Sequence, residues 1–192
     1  MTEENLHTDA DRAVMRGLFT PAFWCSFVAL SLVLSASSFR NVSVFPFFDG
    51  VFTYARDISI TAKAMSLIVI GLLATFRPAL LHVRELNAGV LGLMVIGCAL
   101  PVALGSGNAP LLVLTSCALA VRDAWCVLIA GIAASRLSPA QASVLIPLAF
   151  VAQVASSAFA WLLPVWAGTV FFLAAPFAAW ALSWRDARPV LE

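Results

Sequence analysis

The chain has 192 residues, 62% of them hydrophobic and 11% charged, with a formal net charge of +1 and a mean hydropathy of +0.98. A water-soluble domain carries about 25% charged residues, so too little polar surface is available here to clothe a globule in water. The balanced charge also excludes the dense basic face of a nucleic-acid binder, and no direct nucleic-acid contact is expected.

Taken in order, residues 1–20 read as a cytoplasmic segment, followed by apolar runs near the roughly 20 residues a helix needs to cross a bilayer. The first span runs near Pro21–Phe39. Its apolar heart followed by Ser35-Ala36-Ser37 also fits a signal peptide with a small-residue cleavage site, a reading that leaves five spans. The second span runs near Ile58–Phe76, closed by Arg77-Pro78, and the third near Ala88–Leu104, before the turn Gly105-Ser106-Gly107-Asn108. The fourth, Ala109–Ala134, contains Arg122-Asp123; split there, it gives pieces of about 13 and 11 residues, each too short to cross, so it is taken whole. The fifth is Ala140–Leu162 and the sixth Pro164–Ser183, with a cytoplasmic tail over 185–192. Such runs are too long and continuous for barrel strands. The expected fold is all-α, a polytopic bundle of six transmembrane helices.

Orientation follows from Lys and Arg, which cytoplasmic loops enrich. One side holds Arg12, Arg16, Arg77, Arg84, Arg136, Arg185 and Arg188; the other holds Arg40, Arg56 and Lys63, all assigned to one loop. Both termini are therefore expected inside, in a multi-pass protein of the plasma (inner) membrane. Trp161 and Trp166 flank the last outer turn, and Trp24, Trp180 and Trp184 fall at inner ends, as interfacial anchors do. Small residues four apart, Ala130/Ala134, Gly131/Ser135, Ala174/Ala178 and Ala175/Ala179, offer faces for close helix approach. Pro147 and Pro176 within spans suggest kinks.

Arg122 and Asp123 are the sharpest chemical feature. An ionisable residue at mid-bilayer costs about 2.5–3.5 kcal/mol on insertion scales and persists where it faces a bundle interior and meets a partner. Adjacent helical positions point about 100° apart, so each is expected to look to a neighbouring helix rather than to the other. Gln153 falls at comparable depth, with hydroxyls of Thr115, Ser116, Ser156 and Ser157 nearby in height. Two readings follow: a cavity in which Arg122 meets an anionic or carbonyl-bearing ligand, completed by Asp123 and Gln153, or a polar lock between helices.

The segment Arg40–Asp57 is too apolar for a free loop and too broken by Pro46 and Asp49-Gly50 for a span. It reads as a membrane-hugging connector or an outer lid using Phe48, Asp49, Tyr54, Arg56 and Asp57. Asn41-Val42-Ser43 matches a glycosylation sequon, a weak signal. Cys25, Cys98, Cys117 and Cys126 fall in apolar runs without metal-ligand spacing and read as reduced, buried small residues. His7 and His82 lie outside the spans. No metal or cofactor is expected. Without H-E-x-x-H, G-x-S-x-G or phosphate-loop patterns, the chain is not expected to be an enzyme.

Six spans with inner termini and an arginine in the fourth resemble half of a major-facilitator bundle. The superfamily's arginine is followed by glutamine and glycine, whereas Arg122 precedes Asp123-Ala124-Trp125-Cys126. Its glycine-rich motif between spans two and three is replaced by Arg77-Pro78-Ala79-Leu80-Leu81-His82-Val83-Arg84. The chain is more similar to the membrane portion of actinobacterial LuxR-type regulators. That likeness is carried by Trp125-Cys126-Val127-Leu128-Ile129-Ala130-Gly131 through Arg136-Leu137-Ser138-Pro139, and by Val44-Phe45-Pro46 to Arg56-Asp57. The resemblance implies a sensory module responding to a small-molecule ligand, whose helix-turn-helix output lies outside this chain. The alternatives are a transport component (a substrate-capture subunit, or a half-transporter pairing with itself or a second half-bundle) and a membrane scaffold.

Overall fold

The computed structural model describes residues 20–76 and 83–191. Expectations placed on His7, Arg12, Arg16, Arg77, Pro78, His82 and Glu192 lie outside the described residues. Secondary structure within them is entirely helical. The elements are α1 (Pro21–Ser43), a 3-10 turn at Phe45–Phe47, α2 (Ala55–Phe76), α3 (Val83–Gly97), α4 (Leu100–Ser106), α5 (Ala109–Ser135), α6 (Pro139–Ala160) and α7 (Val165–Leu191).

Helix starts are written in short-range chemistry. Thr20 Oγ1 accepts the Phe23 amide at 3.3 Å, and Asn108 Oδ1 accepts the Leu111 amide at 2.9 Å. Ser138 and Gln141 form a reciprocal capping box at the start of α6. Each satisfies amides that the first turn leaves without an intrahelical partner. Between α4 and α5 the chain turns at Gly107, whose φ of 65° is the left-handed region that glycine enters without a Cβ penalty. The expected third span is divided into α3 and α4, because Pro101 at the start of α4 has no N–H to continue the ladder.

Five stretches among the described residues are long and apolar enough to cross a membrane: Pro21–Phe47, Glu85–Ser106, Ala109–Ser135, Pro139–Ala160 and Val165–Arg188. The expected second span corresponds to α2, which carries Arg56, Asp57 and Lys63 in its first three turns. Two expected ends move. α1 continues past Phe39 to Ser43, and α7 runs past Ser183 to Leu191, through the segment read as a tail.

Helix α1 packs against α6 and α7; α5 packs against α1, α2, α3, α4 and α7. These two helices form the axis. Polarity is inverted relative to a water-soluble protein. Phe150, Val151, Val154 and Phe159 of α6 are exposed, while Arg122 is wholly buried and Asp123 nearly so. An apolar exterior with an ionic interior is what lipid as solvent selects.

The close approaches differ from those expected. Ala130, Ala175 and Ala179 are buried, but Gly131 and Ser135 face outward. The tight crossings come at Gly168, where a Cβ would collide with the Ser43 side chain, and at Gly97, where it would meet Leu119. Hydroxyls join α1 to α6: Ser156 lies 2.8 Å from Ser35, and Ser157 lies 2.7 Å from Ser38. Of the small residues Ser35-Ala36-Ser37, Ser35 belongs to this seam, whereas Ser37 accepts from Lys63 of α2. Cys126 is buried, but Cys98 is exposed, correcting the expectation that all four cysteines are buried. Cys98 falls beside the break before Pro101, and its thiol donates to Met94 O at 3.3 Å.

Candidate functional site

Arg122 falls at the midpoint of α5, and the Cα–Cβ bonds of a helix tilt toward its N-terminus. That direction leads to the end of the bundle where α1 closes at Ser43 and α7 opens at Val165. The guanidinium reaches the third turn of α7, with Nη2 3.5 Å from Phe172 O and Nη1 3.4 Å from Leu173 O. It also lies 4.9 Å from the centroid of the Phe172 ring.

The expectation that Arg122 and Asp123 look away from each other is overturned. Arg122 Nε and Nη2 both donate to Asp123 Oδ1, at 3.1 and 2.8 Å. Angular separation at Cα does not decide the matter, because the arginine stem is long enough to curl its planar fork onto the neighbouring carboxylate.

The second carboxylate oxygen turns to two other helices. Asp123 Oδ2 is 3.4 Å from Arg40 Nη1, in the last turn of α1. It is 4.0 Å from Lys63 Nζ, in the third turn of α2, which also donates to Ser37 Oγ at 3.4 Å. Arg40 and Lys63 are therefore not cations of an outer loop, as their place in sequence suggested. Both belong to a buried cluster that draws on α1, α2, α5 and α7. Among the described residues it contains three cations and one carboxylate. Arg40 Nε is buried and has no hydrogen-bond partner among the described residues.

Gln153 is not brought to this cluster. It is half-buried on α6, which packs against α1, and its backbone carbonyl accepts the Ser156 and Ser157 hydroxyls. Thr115 and Ser116 bond back to carbonyls of their own helix.

The segment after α1 is anchored from within. Phe45 and Phe48 are buried in the apolar core, their rings 5.3 Å apart and edge-on. Asp49, Tyr54, Arg56 and Asp57 are exposed. Of the residues named as a lid, Phe48 is thus a core anchor and the other four face outward. Phe45 connects this segment to the cluster, because the guanidiniums of Arg40 and Arg56 lie 4.8 and 5.2 Å from its ring centroid. Such stacking adds about 0.5–2 kcal/mol per contact, more where water is excluded.

Beside the cluster, an apolar cavity of about 310 Å³ opens between α1, α4 and α7, lined by Ser43, Phe47, Leu104, Trp166 and Leu173. A second polar constellation holds the opposite half of the bundle. Asn87 Oδ1 accepts the Trp180 indole N–H at 2.7 Å and that of Trp125 at 3.3 Å. Sequence reasoning missed Arg40, Lys63, Phe45 and Asn87 as partners. The available signal was that each is a polar or aromatic residue within a few turns of a span end, where interfacial roles are commoner.

No family model matches the chain, and neither a curated protein nor a solved structure matches it.

Proposed function

We propose that the chain is a multi-pass membrane module with six spans and both termini inside, acting as a ligand-responsive sensory unit whose receptive site is the Arg122–Asp123 cluster. The path of α2 supports the sixth span. It leaves the end of the bundle that holds Phe47, and α4 returns to that same end, where Leu104 faces Phe47 across the cavity. Twenty-two residues rise about 33 Å, enough for a hydrocarbon core of about 30 Å. The likeness to the membrane part of LuxR-type regulators supports sensing.

One observation carries the reading: three cations from three helices converge on a single carboxylate. A polar lock needs matched charge. A surplus of buried donors spanning α1, α2 and α5, stacked onto the connector through Phe45, instead gives a ligand the means to bias two helix arrangements. The test is thermal unfolding of the purified chain in nanodiscs against a panel of small organic acids, amines and sugars, for wild type and Arg122→Gln. A compound that stabilises wild type and loses its effect in a folded variant supports the reading. An Arg122→Gln protein that merely unfolds, with no compound acting on wild type, favours the lock.

A further inference from the structure

We infer that the surplus donors of this cluster, Arg40 Nε and Lys63 Nζ, form the binding site for a small oxyanion carrying two negative charges, phosphate being the simplest example. The inference rests on the sensory-site reading above and assigns its ligand chemistry.

The four ionisable groups are unequal. Arg122 is committed: two of its nitrogens hold Asp123 Oδ1, and Nη1 and Nη2 reach the carbonyls of Leu173 and Phe172. It positions the carboxylate and has little left to offer a ligand. Arg40 and Lys63 are not committed in this way. They share Asp123 Oδ2, at 3.4 and 4.0 Å, and Lys63 Nζ also donates to Ser37 Oγ at 3.4 Å; the two ionic contacts are long for charge-assisted bonds that usually close to about 2.7–2.9 Å. Arg40 Nε, in a side chain 9% accessible, has no partner among the described residues. A buried guanidinium N–H without an acceptor is costly and is rarely left so unless an acceptor arrives.

Charge fixes the ligand class. With all four groups ionised the cluster carries a surplus of two positive charges, which a dianion neutralises and a neutral or cationic ligand does not. Geometry fixes its placement. Phe45 is stacked against Arg40, and the Lys63 side chain is 21% accessible, so Lys63 is the exposed edge of the site and Arg40 its floor. An anion bridging Arg40 Nε and Lys63 Nζ competes with Asp123 Oδ2 for both cations. It thereby loosens α1 and α2 from α5, a direct coupling from ligand to helix arrangement. The same phosphate chemistry occurs on lipid headgroups, and the experiment separates the two sources.

The purified full chain in phosphatidylcholine nanodiscs is titrated with inorganic phosphate, with sulfate, and with chloride at matched ionic strength, following intrinsic tryptophan fluorescence and thermal unfolding. A parallel set of nanodiscs contains one-fifth phosphatidic acid. Saturable binding of phosphate and sulfate but not chloride, weakened tenfold or more by Lys63→Gln and by Arg40→Lys, supports a soluble dianion. Arg40→Lys retains the charge but removes Nε, and Lys63→Gln changes a partly accessible residue, so each reports on binding without a wholesale loss of the fold. Saturation in the phosphatidic acid discs alone, lost in the same variants, supports the same site occupied by a headgroup. Binding that persists in both variants and vanishes in Arg122→Gln overturns the Arg40–Lys63 assignment while leaving the sensory site standing. No saturable effect of any anion in either set of discs, while an organic amine or sugar binds, overturns the ligand class alone. No binding of any kind overturns both.

Discussion

Arg122 and Asp123 are adjacent in sequence and bonded in space, through Nε at 3.1 Å and Nη2 at 2.8 Å to one carboxylate oxygen. The fork occupies Oδ1 and leaves Oδ2 to Arg40 and Lys63. One side chain of α5 thus neutralises part of three cations at once, and the bundle's ionic interior depends on it.

Replacing Asp123 with Asn removes the only carboxylate of the cluster among the described residues and leaves Arg40, Lys63 and Arg122 facing one another. Hydrogen bonds between membrane helices average about 0.6 kcal/mol, but stranding buried charge is a different matter, at about 3–5 kcal/mol when one partner of a buried pair is lost. The larger figure governs here because Arg40 and Arg122, two of the three surviving cations, are buried. Asp123→Asn is expected to lower the unfolding temperature in detergent far more than Ser156→Ala, which removes one neutral contact.

Arg122→Lys keeps the charge and still fails to restore the wild-type bundle. An ammonium has no Nε and cannot hold Oδ1 with two N–H groups while reaching the carbonyls of Phe172 and Leu173. A thermal stability closer to that of Arg122→Gln than to wild type is expected. A lysine variant matching wild type would show that charge alone, not the planar fork, holds α5 to α7.

Asn87 accepts two indole N–H groups, from Trp125 of α5 and Trp180 of α7, and so ties three helices at one atom. Asn87→Leu is close in volume but offers no acceptor, leaving the buried Trp125 indole unpaired. An unsatisfied buried donor costs about 1–3 kcal/mol. The expected outcome is a drop in thermal stability with a shift in tryptophan emission, as the stacked pair Trp180–Trp184 loses its anchor.

What the sequence made legible followed from single-residue physics. Long apolar runs can only be satisfied in lipid as helices, and a charged dipeptide inside one has to be buried against something. Arg40 and Lys63 were opaque for the opposite reason. A cation near a span end serves equally as a topology marker, and α5, 83 residues on in sequence from Arg40, supplies the carboxylate that makes it interior. Pairing of Arg122 with Asp123 depended on a side-chain rotamer, which helical periodicity does not specify. Gln153 was misplaced because depth along a span says nothing about which neighbour a helix faces, and α6 faces α1. The close approaches were likewise hidden: a glycine at a crossing and a glycine on the lipid face look alike until the partner helix is known.

Gly168 and Gly131 make that last distinction measurable. A Cβ at Gly168 would strike the Ser43 hydroxyl and lie 2.8 Å from the Ser43 Cβ, whereas nothing lies within 4 Å of a Cβ at Gly131. Gly168→Ala therefore has to push α7 from α1, at an overpacking cost of about 1–3 kcal/mol. Gly131→Ala gains the helix preference of alanine, up to about 1 kcal/mol, at no steric cost. Thermal unfolding of the two variants should move in opposite directions. Ser43→Gly removes both colliding atoms and leaves Phe39 Cδ1, at an ordinary 3.5 Å, as the next contact, so it should return Gly168→Ala toward wild type. If the double variant were no more stable than Gly168→Ala alone, the α1–α7 crossing would not be set by this pair.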